Sequence, residues 1–160
     1  MNVLRLFYSS AHVYRGHHGR AAGTAPMTEA AVVRLRLGRG IEGDRYAALE
    51  GARGQVTFFA EETWLRLCCE LSVERDPGVF RRNILVRGAD LNSLIGAEFE
   101  VQGMRFGGVE HCKPCYWMDQ AFAPGTLGRL GEWKAGGLRA AVLSDGVLSA
   151  EPVLASRCSA

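Results

Sequence analysis

The chain has 160 residues, enough for one domain with its own hydrophobic core, and its apolar fraction of 48% is ordinary for a globular protein. A net charge of only +2 gives no global pull toward nucleic acid or a membrane surface, and no apolar run is long enough to span a bilayer. The 20 glycines favour many tight turns and hence many short strands.

Residues 3–8 (Val-Leu-Arg-Leu-Phe-Tyr) read as a strand that Ser9–Ser10 end. An irregular stretch from His12 to Met27 follows. It carries His12, His17 and His18 among glycines, and it is too long for a filler loop in a compact domain. Residues 30–37 alternate, with Ala31, Val33, Leu35 and Leu37 on one side and Val32, Arg34 and Arg36 on the other. Gly38 to Asp44 is a glycine-rich turn leading to Arg45-Tyr46, and Gln55 to Phe59 is a further strand. Ala60 to Leu71 is predicted as a helix. Glu61 and Glu62 suit its first turn, and Trp64, Leu67, Cys68 and Leu71 share a face, which makes Cys68 a small core residue.

Asp76-Pro77-Gly78 marks a turn, and Arg81-Arg82-Asn83 sit at the mouth of a strand continuing through Val86. Ala97–Val101 and Met104–Val109 form a predicted hairpin through Gln102-Gly103. Tyr116–Phe122 and Leu127–Lys134 are predicted short helices, the second ended by Gly136-Gly137. Leu138–Leu143 is a strand, and Asp145-Gly146 signals a hairpin returning through Val147–Leu148. No repeat or linker divides the chain, so residues 1–160 are expected to form one mainly β domain with helical insertions.

Five cysteines are present: Cys68, Cys69, Cys112, Cys115 and Cys158. The first ten residues alternate and carry Arg5, unlike a signal peptide, so reduced thiols in a soluble, cytoplasmic protein are expected. Residues 111–119 (His-Cys-Lys-Pro-Cys-Tyr-Trp-Met-Asp) hold the chemistry. Cys112 and Cys115 admit three readings: a redox pair, half of a zinc site, or a single activated thiol with a companion. A thiol at a helix start is a good nucleophile and a soft metal ligand. His111 could move a proton, and Trp117 and Tyr116 are expected in the core. Only Lys113 and Lys134 are lysines, and the remaining basic side chains are arginines, whose planar fork suits bidentate anion recognition.

Residues 81–96 (Arg-Arg-Asn-Ile-Leu-Val-Arg-Gly-Ala-Asp-Leu-Asn-Ser-Leu-Ile-Gly), followed by residues 106–115 (Phe-Gly-Gly-Val-Glu-His-Cys-Lys-Pro-Cys), resemble a stand-alone MOSC domain. MOSC is the C-terminal domain of molybdenum-cofactor sulfurases. Gly43-Asp44-Arg45-Tyr46, Gln55-Val56-Thr57 and Gly137-Leu138-Arg139-Ala140 fall in the order of that family, and the resemblance covers roughly residues 30–150. It implies a β-barrel core with a few helices. It implies that Cys115 is a ligand to molybdenum, with Cys112 as companion, or carries a persulfide. It places Asp44, Arg45, Arg81, Arg82 and Asn83 near the pocket of a molybdenum cofactor (molybdopterin). There arginine could clamp the phosphate and Asn83 or Gln55 could pair with the ring edge.

Three functions follow as expectations. The first is reduction of an N-hydroxylated small molecule, with electrons from a partner protein. The second is a sulfur carrier served by a cysteine desulfurase, and the third is a binding barrel without catalysis. Pyridoxal phosphate is not expected, since neither Lys113 nor Lys134 sits in a Schiff-base setting.

Overall fold

The computed structural model describes residues 1–12, 25–49 and 52–151. His17, His18, most of the histidine- and glycine-rich stretch, and Cys158 lie outside the described residues. The chain runs through β1 (Asn2–Tyr8), β2 (Thr28–Ala30), β3 (Val32–Arg36), β4 (Gly40–Ile41), β5 (Val56–Ala60), α1 (Glu61–Leu71), a 3₁₀ turn at Pro77–Phe80, and β6 (Ile84–Arg87). It continues through β7 (Glu98–Val101), β8 (Met104–His111), α2 (Trp117–Ala121), α3 (Thr126–Glu132), β9 (Leu138–Val142) and β10 (Gly146–Ser149).

A seven-stranded sheet has the order β2-β1-β6-β5-β9-β8-β7, and a three-stranded sheet has the order β10-β3-β4. Among the described strands only β5 and β6 pair in parallel. Parallel neighbours need a crossover, and α1 supplies it. Period-two alternation sends adjacent residues of the large sheet to opposite faces. Val3, Phe58, Ile84, Val86, Leu138 and Ala140 join Val33, Leu35, Ile41 and Leu148 of the small sheet in one core. Leu4, Phe7, Phe59 and Leu85 meet Leu67, Met118, Phe122 and Leu130 from the helices in a second. The molecule is thus layered as small sheet, large sheet and helices, and the large sheet is buried on both faces.

The sequence-based elements are present with shifted ends, and Cys68 packs against the helical core. Leu37 does not continue the face of Val33 and Leu35: it lies in the turn after β3 and is exposed. Gln102 and Gly103 both have positive φ, +50° and +77°, the backbone of a two-residue hairpin turn. Two expectations need correction. Hydrogen bonding does not close a barrel, because the large sheet ends on β2 and β7 and the small one on β10 and β4. The sheets are joined by isolated bonds instead of ladders, such as Gly38 N–H to Val142 O (2.9 Å) and Glu151 N–H to Val3 O (2.7 Å). Register shifts in β1 and β8 re-aim those strands, and β2 and β4 are too short to carry a ladder further. Asp145-Gly146 also makes no hairpin. β10 pairs with β3 and not with β9, and the Asp145 carboxylate accepts Leu37 N–H at 2.7 Å as the chain crosses between sheets. Among the described residues no helix is long and apolar enough to cross a membrane.

Candidate active site

The Cys112–Cys115 segment leaves the end of β8 and enters α2 without regular structure of its own. Cys112 N–H donates to Gly137 O at 2.8 Å. A Cβ on Gly136 would collide with Cys112 O, and one on Gly137, at φ +106°, would collide with Phe58 O. The Gly136-Gly137 pair therefore lets the thiol segment lie against the strands. It does not end the preceding helix, which stops at Glu132. At the other end Met118 N–H donates to Cys115 O at 2.9 Å, and Met118 and Phe122 sink into the helical core beside Phe80. Cys112 is buried and Cys115 exposed, and both thiols are free. Cys115 thus stands on a fixed rim in front of a helix of only five residues.

It opens onto a cleft of about 160 Å³ lined by His12, Arg45, Tyr46, Phe80, Arg81, Arg82, Cys115, Trp117 and Met118. Among the described residues this lining holds three arginines and no carboxylate, so their field favours an anion. Behind the wall lies a polar network. Asp44 is buried, and its carboxylate accepts Ser9 N–H (3.1 Å), Tyr46 N–H (3.0 Å), Arg45 Nη1 (3.4 Å) and Asn83 Nδ2 (3.2 Å). Asn83 is 0% exposed. Its amide also donates to Phe7 O (3.1 Å), and its carbonyl accepts Thr57 N–H (3.1 Å) and Thr57 Oγ1 (2.9 Å).

The two arginines at the strand mouth differ. Arg81, at φ +56°, is buried; its guanidinium donates to Ala25 O, Ser9 Oγ (3.1 Å) and Ala11 O (2.9 Å). Arg82 is half-buried and gives Nε to Gly136 O (2.9 Å) and Nη1 to Phe80 O (3.2 Å). Among the described residues its Nη2 has no protein acceptor, so part of its fork remains for a ligand.

A larger hollow of about 520 Å³ adjoins the cleft, sharing Arg81 and Trp117 and adding Phe7, Met27 and Val79. At its edge Arg5 bridges Glu29 and Asp76, each at 2.7 Å. The hydrogen bond to Glu29, then that to Asp76, hold the Arg5 guanidinium more firmly charged than usual, against partial burial.

The MOSC domain profile matches residues 43–154. The chain belongs to the MOSC domain family. Solved structures share its fold. YuaD from Bacillus subtilis is 18% identical with a TM-score of 0.68, over 92% of this chain and 90% of that one. YiiM from Escherichia coli is 18% identical with a TM-score of 0.62, over 100% of this chain and 72% of that one. A further structure, described as a hypothetical protein, is 17% identical with a TM-score of 0.66, over 94% of this chain; the chain spans 65% of its length. No curated protein matches the sequence.

Within this MOSC domain, Cys115, Arg45, Arg81 and Arg82 meet at one cleft, while Asp44 and Asn83 stand one layer behind it. Gln55 lies elsewhere. Its amide donates to Ala52 O and accepts Val142 N–H (2.8 Å), tying β9 to the segment before β5. Cys112 is packed below the rim. His111 ends β8 and is not part of the lining; among the described residues its buried Nδ1 has no hydrogen-bond partner. Trp117, expected in the core, walls both hollows. Among the described residues no three His, Cys, Asp or Glu side chains converge as a metal cage. A metal here would have to bring ligands of its own. Phe80 and Met118 joined the lining without any sequence signal, whereas His12 and Tyr46 are noted in the sequence but not as site residues. The usable signals were a histidine four residues past the end of β1 and the tyrosine after Asp44-Arg45.

Proposed function

We propose that this MOSC domain holds a molybdenum cofactor through the Cys115 thiolate and reduces N-hydroxylated small molecules. The observation that carries the reading is an exposed thiol opening into a cleft walled by Arg45, Arg81 and Arg82. MOSC domains are linked to molybdenum-cofactor binding as a family. The donor set fits that group: a soft thiolate for the metal, and guanidinium forks for a phosphate. Arg82 would take the phosphate with the part of its fork the protein leaves open, and Arg45 would add charge beside it. Phe80 and Trp117 would exclude water from the cleft. When bound, the cofactor supplies two-electron redox chemistry. The overall change is R–NHOH plus two electrons and two protons to R–NH₂ and water, with the electrons drawn from a separate donor protein.

The exposure of Cys115 also favours a second reading, in which it carries a persulfide from a cysteine desulfurase to a metal–sulfur centre, since a carried sulfur must be reachable. Molybdenum analysis beside intact mass, on wild type and Cys115→Ala expressed in a cofactor-making host, separates the readings. Near-stoichiometric molybdenum lost in the variant supports the first. A reductant-labile addition of about 32 Da on Cys115 without molybdenum supports the second. Neither, with ligand affinity unchanged in Cys115→Ser, leaves a non-catalytic binding domain.

A further inference from the structure

Among the described residues lining the Cys115 cleft, only His12 is of a type that exchanges a proton near neutrality without special perturbation. Guanidinium groups stay protonated, and a phenol ordinarily releases its proton near pH 10. The thiol is committed to the metal in the reading above.

His12 is also placed, where most loop histidines are not. The backbone just before it is fastened from two directions. Arg81 Nη2 donates to Ala11 O (2.9 Å) and Ser9 Oγ (3.1 Å), and Ser9 N–H donates to the buried Asp44 carboxylate (3.1 Å). The imidazole meets the Tyr46 ring edge-on, with centroids 5.1 Å apart and planes at 87°. That ring is itself covered by the Arg45 guanidinium at 5.0 Å and approached by Arg139 at 5.9 Å. The buried Asp44–Asn83–Arg81 network therefore has a consequence at the surface: it delivers an imidazole to the mouth of the thiol cleft.

We infer that His12 is the proton donor of this site and that Tyr46 is its positioning residue. The inference rests on the reductase reading. Breaking the N–O bond consumes two electrons, which the external donor would supply by way of the bound cofactor. The His12 imidazolium gives one proton to the departing oxygen, which leaves as water; the second proton, from solvent, ends on nitrogen. His12 then regains a proton from water. The charged and titratable groups around it include, among the described residues, Arg45, Arg81, Arg82 and Arg139, the Tyr46 phenol and the Cys115 thiol, with Asp44 behind the wall.

The first test needs no cofactor. The Cys115 thiolate displaces iodide from both iodoacetate and iodoacetamide, so the ratio of the two rates cancels thiol ionisation and reads local charge. The ratio is followed by mass spectrometry on the Cys115 peptide, because Cys69 is exposed as well. In wild type it should fall roughly threefold as pH rises through the range of a histidine. It should be flat and low in His12→Gln, and flat and high in His12→Lys. Tyr46→Phe keeps the ring and the full pH swing; Tyr46→Ala reduces the swing. The second test uses molybdenum-loaded protein. Reduction of an N-hydroxylated amidine should decline over the same pH range in wild type. In His12→Gln it should be slower by roughly 100-fold and lose that pH dependence, with molybdenum content unchanged. A pH-independent ratio in wild type overturns the inference, as does a wild-type rate and pH profile in His12→Gln. Molybdenum-loaded wild type that reduces no N-hydroxylated compound overturns the reductase reading, and the donor role with it. The alkylation ratio would then still report whether His12 charges the cleft.

Discussion

Asn83→Ala tests the structural logic of the site most directly. Asn83 is fully buried, and its side chain makes four hydrogen bonds, to Thr57 N–H, Thr57 Oγ1, Phe7 O and Asp44 Oδ2. Truncation affects these partners unequally. Asp44 Oδ2 keeps Ser9 N–H and Arg45, and the Thr57 hydroxyl still accepts Asn83 N–H. Thr57 N–H and Phe7 O each lose a partner in a water-free setting. An unsatisfied buried group costs about 1–3 kcal/mol, so two of them plus a small cavity amount to about 3–5 kcal/mol. With a urea m-value of about 2 kcal/mol/M, the denaturation midpoint should fall by about 2 M with the slope unchanged. Asn83→Asp should be worse at neutral pH, because it sets a second carboxylate against Asp44, and the deficit should shrink as pH falls and one of the pair protonates. A midpoint loss below about 0.5 M for Asn83→Ala would refute the reasoning. The amide would then be free of structural duty and available to a ligand ring edge.

Other perturbations separate frame from ligand contacts. Gly136→Ala places a methyl group against Cys112 O, which is backbone and cannot yield cheaply. A lowered melting temperature and reduced molybdenum retention are expected from calorimetry and metal analysis. Arg82→Ala should weaken cofactor retention by about 1.5–3 kcal/mol in a dialysis series and alter urea stability little, whereas Arg81→Ala should chiefly destabilise the fold. Retention unchanged in Arg82→Ala, Arg81→Ala and the double variant would rule out a phosphate clamp at this strand mouth. Glu70 is held below the usual carboxylate range, mainly by its hydrogen bond to Arg66 and then by Arg129. A depressed folded-state value stabilises the protein above the unfolded carboxylate's range, and this contribution is lost as pH falls through the folded one. The melting difference between wild type and Glu70→Gln should therefore be small and positive at pH 7 and vanish in acid. A constant difference across pH would contradict the ion pair.

How much of this was legible in the sequence depends on the range of the interaction. Local patterns identified the strands of residues 3–8 and 55–59, α1 and the Gln102-Gly103 turn, because alternation, helical spacing and positive-φ turn chemistry are written within a few neighbouring residues. The ordered motifs named the family. The Asp145-Gly146 turn failed as a hairpin signal because the partner of β10 is β3, more than a hundred residues earlier, and no local rule weighs that alternative. Closure of the barrel failed for a similar reason: whether two sheets join by ladders or by single bonds is set by bulges and strand lengths in three dimensions.

At the site, the sequence by itself determined which chemistry was present: a thiol pair, arginines, an amide and histidines. It could not divide those residues into contact and support. Arg81 and Arg82 are neighbours in the chain, yet positive φ at Arg81 turns it back onto Ser9 and Ala11 while Arg82 reaches Gly136. Asn83 and Gln55 look available on paper, but their amides are occupied by backbone groups that arrive from distant strands. Only tertiary structure decided this, because hydrogen-bond capacity is used up by whichever groups the folded chain brings within 3 Å or so, and burial then fixes the pairing. The same long-range packing brought His12, outside the matched motifs, to the rim where Cys115 stands.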